Sequence, residues 1–362
     1  MDYKPLFFRI YKDEEHEQYS ALVKDKNAQV FDTIDNQLLE FLLCRNPSLS
    51  KEEVIKKGLV EQKLKDSGLT KKKYGVWVYY SWKNQLIHIL DEEEFIEVRT
   101  NRNKYKITQE EQDILSTKKI GIAGLSVGRS VAQTIALERI AGEIRLADFD
   151  SIELSNLNRI NAPLVEMGLN KSVAAAREIA EIDPYIKVTC FTEGLNKKNL
   201  ESFFSNDGLL DLFIEECDDI AIKIDSRLVA KEFGVPVIME TNDNCIVDIE
   251  RFDTEPDREI FHGRLNKDLL QHAYKANTIE DKTEILSSIL EVSKISDRMK
   301  QSIPEIGKSI RSWPQTSSEV IYGGAISAAI ARMILLKELN ESDRLYLGLR
   351  RFVDYQLIQI NK

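Results

Sequence analysis

Apolar and polar positions follow one pattern over roughly the first hundred residues and a different one after Lys118. In the first stretch, the apolar run from Phe7 to Tyr11 reads as a strand, and TIDNQLLEFLLCRN reads as a helix capped by Thr33. A second helix, KEEVIKKGLVEQKL, follows Ser50 with Glu53 three residues on, a spacing at which hydroxyl and carboxylate each satisfy a free N–H at a helix start. YGVWVYYSW and QLIHIL are strand-like runs that meet at Lys83 and Asn84 as a hairpin. Together these elements predict a small α+β module over residues 1–98.

From Lys118 the pattern becomes a regular alternation. KKIGIAG, EIRLADFD, IKVTCF, LDLFIEE and VPVIMET have the short apolar runs of buried strands. Between them lie the helical segments SVAQTIALERI, KSVAAAREIAEI, KKNLESFF and IAIKIDSRLVAKEF, the second ended by Asp183 and Pro184 and the last closed by Gly234. Strands separated by helices of this length imply right-handed βαβ units. The expected fold class is therefore α/β, a Rossmann-like, mainly parallel sheet with helices on both faces, in a domain spanning residues 99–362. Beyond Arg251 the alternation stops. Residues 264–303 read as a helical insert with Ile285, Ile289 and Leu290 at helical spacing, SWPQTSSE as a loop, and GGAISAAIARMILLKEL as a small-residue helix packed close to the sheet. The tail RLYLGLRRFVDYQLIQI has room for one or two final strands.

Composition narrows the function classes. A net charge of -10 argues against a broad nucleic-acid surface, because phosphate binding rests on clustered Lys and Arg; RTNRNKYK, Arg99 to Lys106, is the local exception. No apolar run reaches the roughly 20 residues of a membrane span, and MDYKPLFFRIYKDEE lacks a signal-peptide pattern, so a cytoplasmic protein without membrane contact is expected. Cys44, Cys190, Cys217 and Cys245 are widely spaced without a CxxC pair, which predicts neither a zinc site nor disulfides.

The candidate chemistry gathers at the carboxyl ends of the predicted strands, where sheets of this kind bind ligands. AGLSVGRS, with Gly124, Ser126, Gly128 and Arg129, links the first strand of the alternation to its helix and offers backbone N–H groups to an anion. Asp148, at the end of the next strand, is placed to accept from ribose hydroxyls, and Asp150 points to the same side to hold the following loop or an ion. Asn156 and Arg159 follow, the latter a guanidinium suited to phosphate. Lys171 opens a helix, where a cation is disfavoured by the dipole unless an anion is near. EECDD, Glu215 to Asp219, packs four carboxylates into five residues, a repulsion that a hard cation such as Mg²⁺ would relieve.

The strand, the glycine-containing loop, DFDSIELSNLNR, the NK at a helix start and the later acid cluster together resemble the ThiF/MoeB/HesA superfamily, adenylyltransferases related to ubiquitin-activating enzymes. The resemblance covers roughly residues 100–250 and the helix from Gly323, and its most specific part is DxDxxxxSNLNR. It implies that ATP and Mg²⁺ are bound, with Asp148 on ribose, Asn156, Arg159 and Lys171 on the nucleotide, and Asp218 on the metal, Asp219 standing where the family has Asn. It implies a homodimer in which an Arg preceding the first strand reaches the partner's site; Arg102 is the candidate, with Lys104 and Lys106 as rivals. The family's GxGGxG appears here as GLSVGR, so Arg129 either contacts phosphate or crowds the pocket. No cysteine stands in an obvious crossover loop, and no thioester is predicted.

The resemblance implies attack of a substrate carboxylate on the α-phosphorus of ATP, giving an acyl adenylate and pyrophosphate. The extra N-terminal module favours the tail of a precursor peptide or a ubiquitin-like protein as substrate, with YGVWVYYSW as an edge to which a peptide strand adds. Two alternatives stay open: adenylation of a small-molecule or RNA-linked carboxylate, and a catalytically inactive dimeric adaptor.

Overall fold

Four short strands form the sheet of the N-terminal unit in the computed structural model, which describes residues 2–24, 28–276, 278–350 and 353–354. They are β1 (Leu6–Phe8), β2 (Gln29–Asp32), β3 (Val76–Tyr80) and β4 (Gln85–Ile89), in the order β1-β3-β4-β2. Helices α1 (Asp13–Lys24), α2 (Ile34–Arg45), α3 (Lys51–Lys56), α4 (Leu59–Ser67) and α5 (Glu92–Thr100) complete the unit. It comprises the described residues of Met1–Gln112 together with Ala180–Tyr185.

Sequence and structure agree on the β3–β4 hairpin and on the Ser50–Glu53 capping box, where both reciprocal bonds form. They differ in four places. The helix after Ser50 breaks at Gly58, whose φ of 63° lies in the left-handed region, giving α3 and α4. Thr33 does not cap α2, because its hydroxyl donates to the carbonyl of His88. α1, β2 and α5 form without a counterpart in the sequence reading. Finally, β3 is an interior strand between β1 and β4, so YGVWVYYSW offers no free edge to a peptide; the edges are β1 and β2.

The second unit, Asp113–Ile179 with Ile186 onward, holds a sheet of seven strands among the described residues. After α6 (Gln109–Ser116) come β5 (Lys119–Ala123), α7 (Gly128–Glu138), β6 (Glu143–Ala147), α8 (Lys171–Ile182), β7 (Lys187–Phe191), α9 (Leu200–Ser205), β8 (Leu212–Glu215), α10 (Ile220–Phe233), β9 (Val237–Thr241) and β10 (Ile246–Glu250). The insert supplies α11 (Lys267–Ala273), α12 (Ile279–Leu290) and α13 (Asp297–Ser302), before α14 (Ser317–Leu335) and β11 (Asp343–Tyr346).

The strand order is β11-β10-β9-β8-β5-β6-β7, parallel from β9 to β7 and antiparallel at β10 and β11. Ile120, Ile122, Ile144, Leu146, Phe213 and Val237 are all fully buried, as a parallel sheet covered on both faces requires. β10 interrupts this logic. It is buried along its whole length yet carries Asp248 and Glu250, whose charges are met by Arg344 and Arg227. An apolar-pattern search passes over such a strand because its partners lie far away in sequence. Of the expected tail strands, β11 is present; most of the stretch beyond residue 350 lies outside the described residues.

α14 corrects one expectation. By length and composition it is a helix able to cross a membrane. In this unit its small residues instead let it lie close against α7 and β9: a Cβ on Gly324 would fall 2.4 Å from the Ser130 hydroxyl oxygen.

The chain runs from β5 out through β6 and β7, then returns to the other side of β5 for β8 and β9. The loops after β5 and β8 therefore diverge, and the crevice between them is where such sheets bind ligands.

Candidate active site

The loop after β5 is held against the end of β8 by its backbone. Gly124 has φ 86°, and a Cβ there would lie 2.3 Å from the carbonyl oxygen of Glu216. Only glycine fits both the dihedral and the gap. Gly128 opens α7 pressed against Ile122, where a Cβ would come within 2.8 Å, so this glycine serves close helix–strand packing. Val127 gives α7 no side-chain cap, which leaves the positive end of that helix to other acceptors.

Asp148 at the end of β6 is buried, and its two carboxylate oxygens accept from Leu125 N–H at 2.6 Å and Asp150 N–H at 2.8 Å. Burial raises its pKa, against the pull of those donors and of Lys171. It thus orders the glycine loop while keeping further lone pairs. Asn170 caps α8 by accepting from Ser172 N–H and Val173 N–H, and its amide donates to the carbonyls of Asp148 and Thr192. That positioning residue was missed, although an Asn just before a helix start is an N-cap signal.

Lys171 is buried, and its ammonium lies 2.8 Å from Asp150. The anion that its place at a helix start calls for is thus supplied within the chain. Asn156 is buried, its side-chain oxygen accepting from Glu153 N–H at 3.1 Å to close the SNLNR turn.

Arg159 sits differently. Half-buried, it donates to Ser126 Oγ at 3.1 Å, to the Ser155 carbonyl at 3.3 Å and to Asn158 Oδ1 at 3.0 Å, all neutral acceptors. No carboxylate among the described residues lies within ion-pair distance, and burial lowers its pKa, opposed only by Asp218. A guanidinium desolvated without a counter-ion fits an incoming anion. Arg129 is the contrast: its guanidinium is bound by Glu178 at 2.8 Å and Glu166 at 3.4 Å, and it does not line the cavity described below.

The EECDD cluster disperses. Glu215 is fully buried with Lys223 at 3.0 Å and Arg227 at 2.7 Å, and Arg227 continues to Glu250 at 2.6 Å. Burial pushes Glu215 up, but the two cations hold its pKa below the usual value. Asp219 caps α10 through Ile222 N–H at 2.9 Å. For Glu215 and Asp219 the expected repulsion is thereby relieved by Lys, Arg and a helix N-terminus, while Glu216 remains beside Glu215 and Glu240. Asp218 stays exposed at the cavity. No group of three or more potential metal ligands occurs among the described residues; Mg²⁺ held mainly by phosphates needs only one or two carboxylates, and Asp218 meets that need.

Arg159, Val127 and Asp218 meet on the wall of a cavity of about 220 Å³, with Glu216 and Glu240 also on it. The insert and the following loop supply its apolar side, including Leu286, Ile295, Met299 and Trp313. Asp148, Asp150, Lys171 and Asn156 are not on this wall; Asp148 holds the glycine loop through Leu125, Lys171 pairs with Asp150, and Asn156 closes its own turn. Arg102 lies exposed in a one-turn helix, Asn101–Asn103, of the N-terminal unit.

Residues 99–268 match the model of the ThiF family. An uncharacterised protein of Mycobacterium tuberculosis is 42% identical over 77% of this chain, and the chain spans only 38% of that relative's length. The tRNA threonylcarbamoyladenosine dehydratase of Bacillus subtilis is 22% identical over 67% of this chain and 98% of its own. The ubiquitin-like modifier-activating enzyme 5 of Culex quinquefasciatus is 31% identical over 26% of this chain and 23% of its own. The segment that carries the glycine loop, Asp148, Arg159 and the acid cluster, residues 99–268, is thus a ThiF-family segment.

Proposed function

We propose that the chain is an ATP-dependent adenylyltransferase that activates the carboxylate of a peptide or small-protein tail. A carboxylate oxygen attacks the α-phosphorus, the bond from that phosphorus to the bridging oxygen breaks, and the electron pair leaves with pyrophosphate. Arg159 carries the proposal, as a half-buried cation with only neutral protein partners on a cavity wall at the carboxyl ends of the central strands. It would neutralise charge moving onto the leaving group, with α7 directing its N-terminus at the phosphates. Asp148 would accept from ribose, Lys171 would approach the phosphates while Asp150 orients it, and Asn156 would hold the turn. Asp218 would hold Mg²⁺, which screens phosphate charge when bound. In a homodimer, Arg102 would serve the partner's site.

A protein tail is favoured over an RNA-linked carboxylate by the net charge of -10. The name of the Culex relative points the same way, while that of the Bacillus relative points to RNA. Against an inactive adaptor stands Arg129, whose side chain is taken up by Glu178 and Glu166 instead of lying on the cavity wall. The test is exchange of labelled pyrophosphate into ATP with peptide libraries and other carboxylates. Exchange is expected with some of them; absence of both exchange and calorimetric ATP binding would end the proposal.

A further inference from the structure

The cavity holds an acid that adenylation does not use. Glu240, the fourth residue of β9, is 5% exposed, and beyond the weak S–H donor of Cys245 neither of its carboxylate oxygens has a hydrogen-bond partner among the described residues. A buried carboxyl left in this state is costly unless something fills the site. Its backbone N–H donates to Glu216 Oε1 at 3.1 Å, so a second acid stands beside it, and both line the cavity. The side-chain oxygen of Asn242, on the same wall, is also buried without a partner.

Among the described residues no cation pairs with Glu240. Glu319 of α14 is a further negative charge, and Gly323, one turn on, packs so close that a Cβ would lie 2.4 Å from the carboxyl. The Cys245 thiol of the β9–β10 turn donates to the carboxyl, a neutral S–H contact that favours its charged form without supplying a counter-ion. Lys223 of α10 is spent on Glu215. Burial, with Glu319 adding to it, pushes Glu240 to about 8. The cavity lining therefore carries two unlike features: Arg159, a cation without an ion-pair partner, and the neighbouring acids Glu240 and Glu216, whose nearest cation, Lys223, is bound to Glu215. Leu286, Met299 and Trp313 give it an apolar side. At about 220 Å³ it is smaller than the roughly 300–1,000 Å³ of drug-sized pockets, so it takes the end of a substrate and not an extended one.

Resting on the adenylation reading, we infer that Glu240 and Glu216 form a subsite for a positively charged nitrogen of the substrate, so that the enzyme selects amino-carboxylates. The amine lies at Glu240, the aliphatic link along the apolar wall, and the carboxylate reaches from there to the α-phosphorus. A peptide tail ending in Lys or another amine-bearing residue has this chemistry.

The full chain is assayed by pyrophosphate exchange with ε-aminocaproate and a Lys-terminated peptide, against caproate and the same peptide ending in norleucine or acetyl-lysine. The amine-bearing member of each pair should have a KM lower by about ten-fold or more. Glu240→Gln should bring the paired KM values together. In calorimetry, the amine should displace a proton from Glu240 of the wild-type protein, seen as a heat that depends on buffer ionisation, and Glu240→Gln should diminish it. Equal KM values in the wild type, or a preference that survives in folded Glu240→Gln, overturn the inference and leave adenylation standing. Absence of exchange with every carboxylate removes the adenylation reading and this inference with it.

Discussion

Replacing Arg159 by Ala separates its structural from its chemical contribution. Its three hydrogen bonds all go to neutral acceptors, and two of those, on Ser155 and Asn158, belong to exposed residues that water can satisfy instead. The bonds are together worth about 1–2 kcal/mol of stability, the low end for such interactions. Burial already works against the charged guanidinium, so its loss relieves part of that cost. For a unit of this size the melting temperature should fall by no more than about 3–6 °C. The transition state is another matter, because a preorganised donor facing developing charge is worth about 2.7–4 kcal/mol, or roughly 10²–10³ in rate. Arg159→Ala should therefore lower kcat/KM for pyrophosphate exchange by about that factor. Arg159→Lys should recover part of it, since the charge returns without the planar fork. The assay pairs exchange kinetics with thermal melts with and without ATP. Saturating ATP at about 100 times its Kd should stabilise the wild type by about 2.7 kcal/mol, and this increment should shrink in the Ala variant. A folded Arg159→Ala protein that exchanges within about three-fold of wild type would refute the assignment, since three-fold is under 1 kcal/mol.

Three further outcomes test the scaffold around the site. Gly124→Ala should destabilise by about 2–5 kcal/mol and impair nucleotide binding, from a left-handed dihedral combined with overlap on the Glu216 carbonyl; chemical denaturation measures it, and a change under 1 kcal/mol would contradict the geometry. Arg227→Met leaves Glu250 without its cation and should cost about 3–5 kcal/mol, part of which Glu250→Gln should restore in a double-mutant cycle; additive effects would show that the two do not interact. Asp248 is held at about 2 by His262 and Arg344 in spite of its burial. With its pKa depressed, it contributes stability in full above its unfolded value, on the order of 2 kcal/mol, which is lost as pH falls from about 4 toward 2. Denaturation across that window should show the loss in wild type and not in Asp248→Asn.

The βαβ order and the place of the site were legible because both follow from local pattern. Short apolar runs such as KKIGIAG alternate with amphipathic helices, and the glycine loop and Asp148 fall at strand ends by position alone. What could not be read locally was pairing across the chain. β10 was passed over because Asp248 and Glu250 look unsuited to a buried strand until Arg344 and Arg227 are seen beside them. Lys171 drew attention as a cation in want of an anion, and its anion proved to be Asp150, on the loop that the sequence had singled out separately.

EECDD marks the difference most sharply. Four acids in five residues suggested a shared cation, yet a strand end sends successive side chains to opposite faces and the next helix takes the last of them as its cap. The sign of the true partners lay in IAIKIDSRLVAKEF. Lys223 and Arg227 are four residues apart and share the buried face of α10 with Ile220 and Ile224, a place where cations persist only when paired. The same rule applies in reverse to VPVIMET. Glu240 stands alone in a strand buried on both faces, with no cation at a matching position. A dense cluster of acids can distribute its charge among neighbours, whereas a solitary acid in an apolar strand cannot. Glu240 is therefore the stronger pointer to something bound from outside the chain.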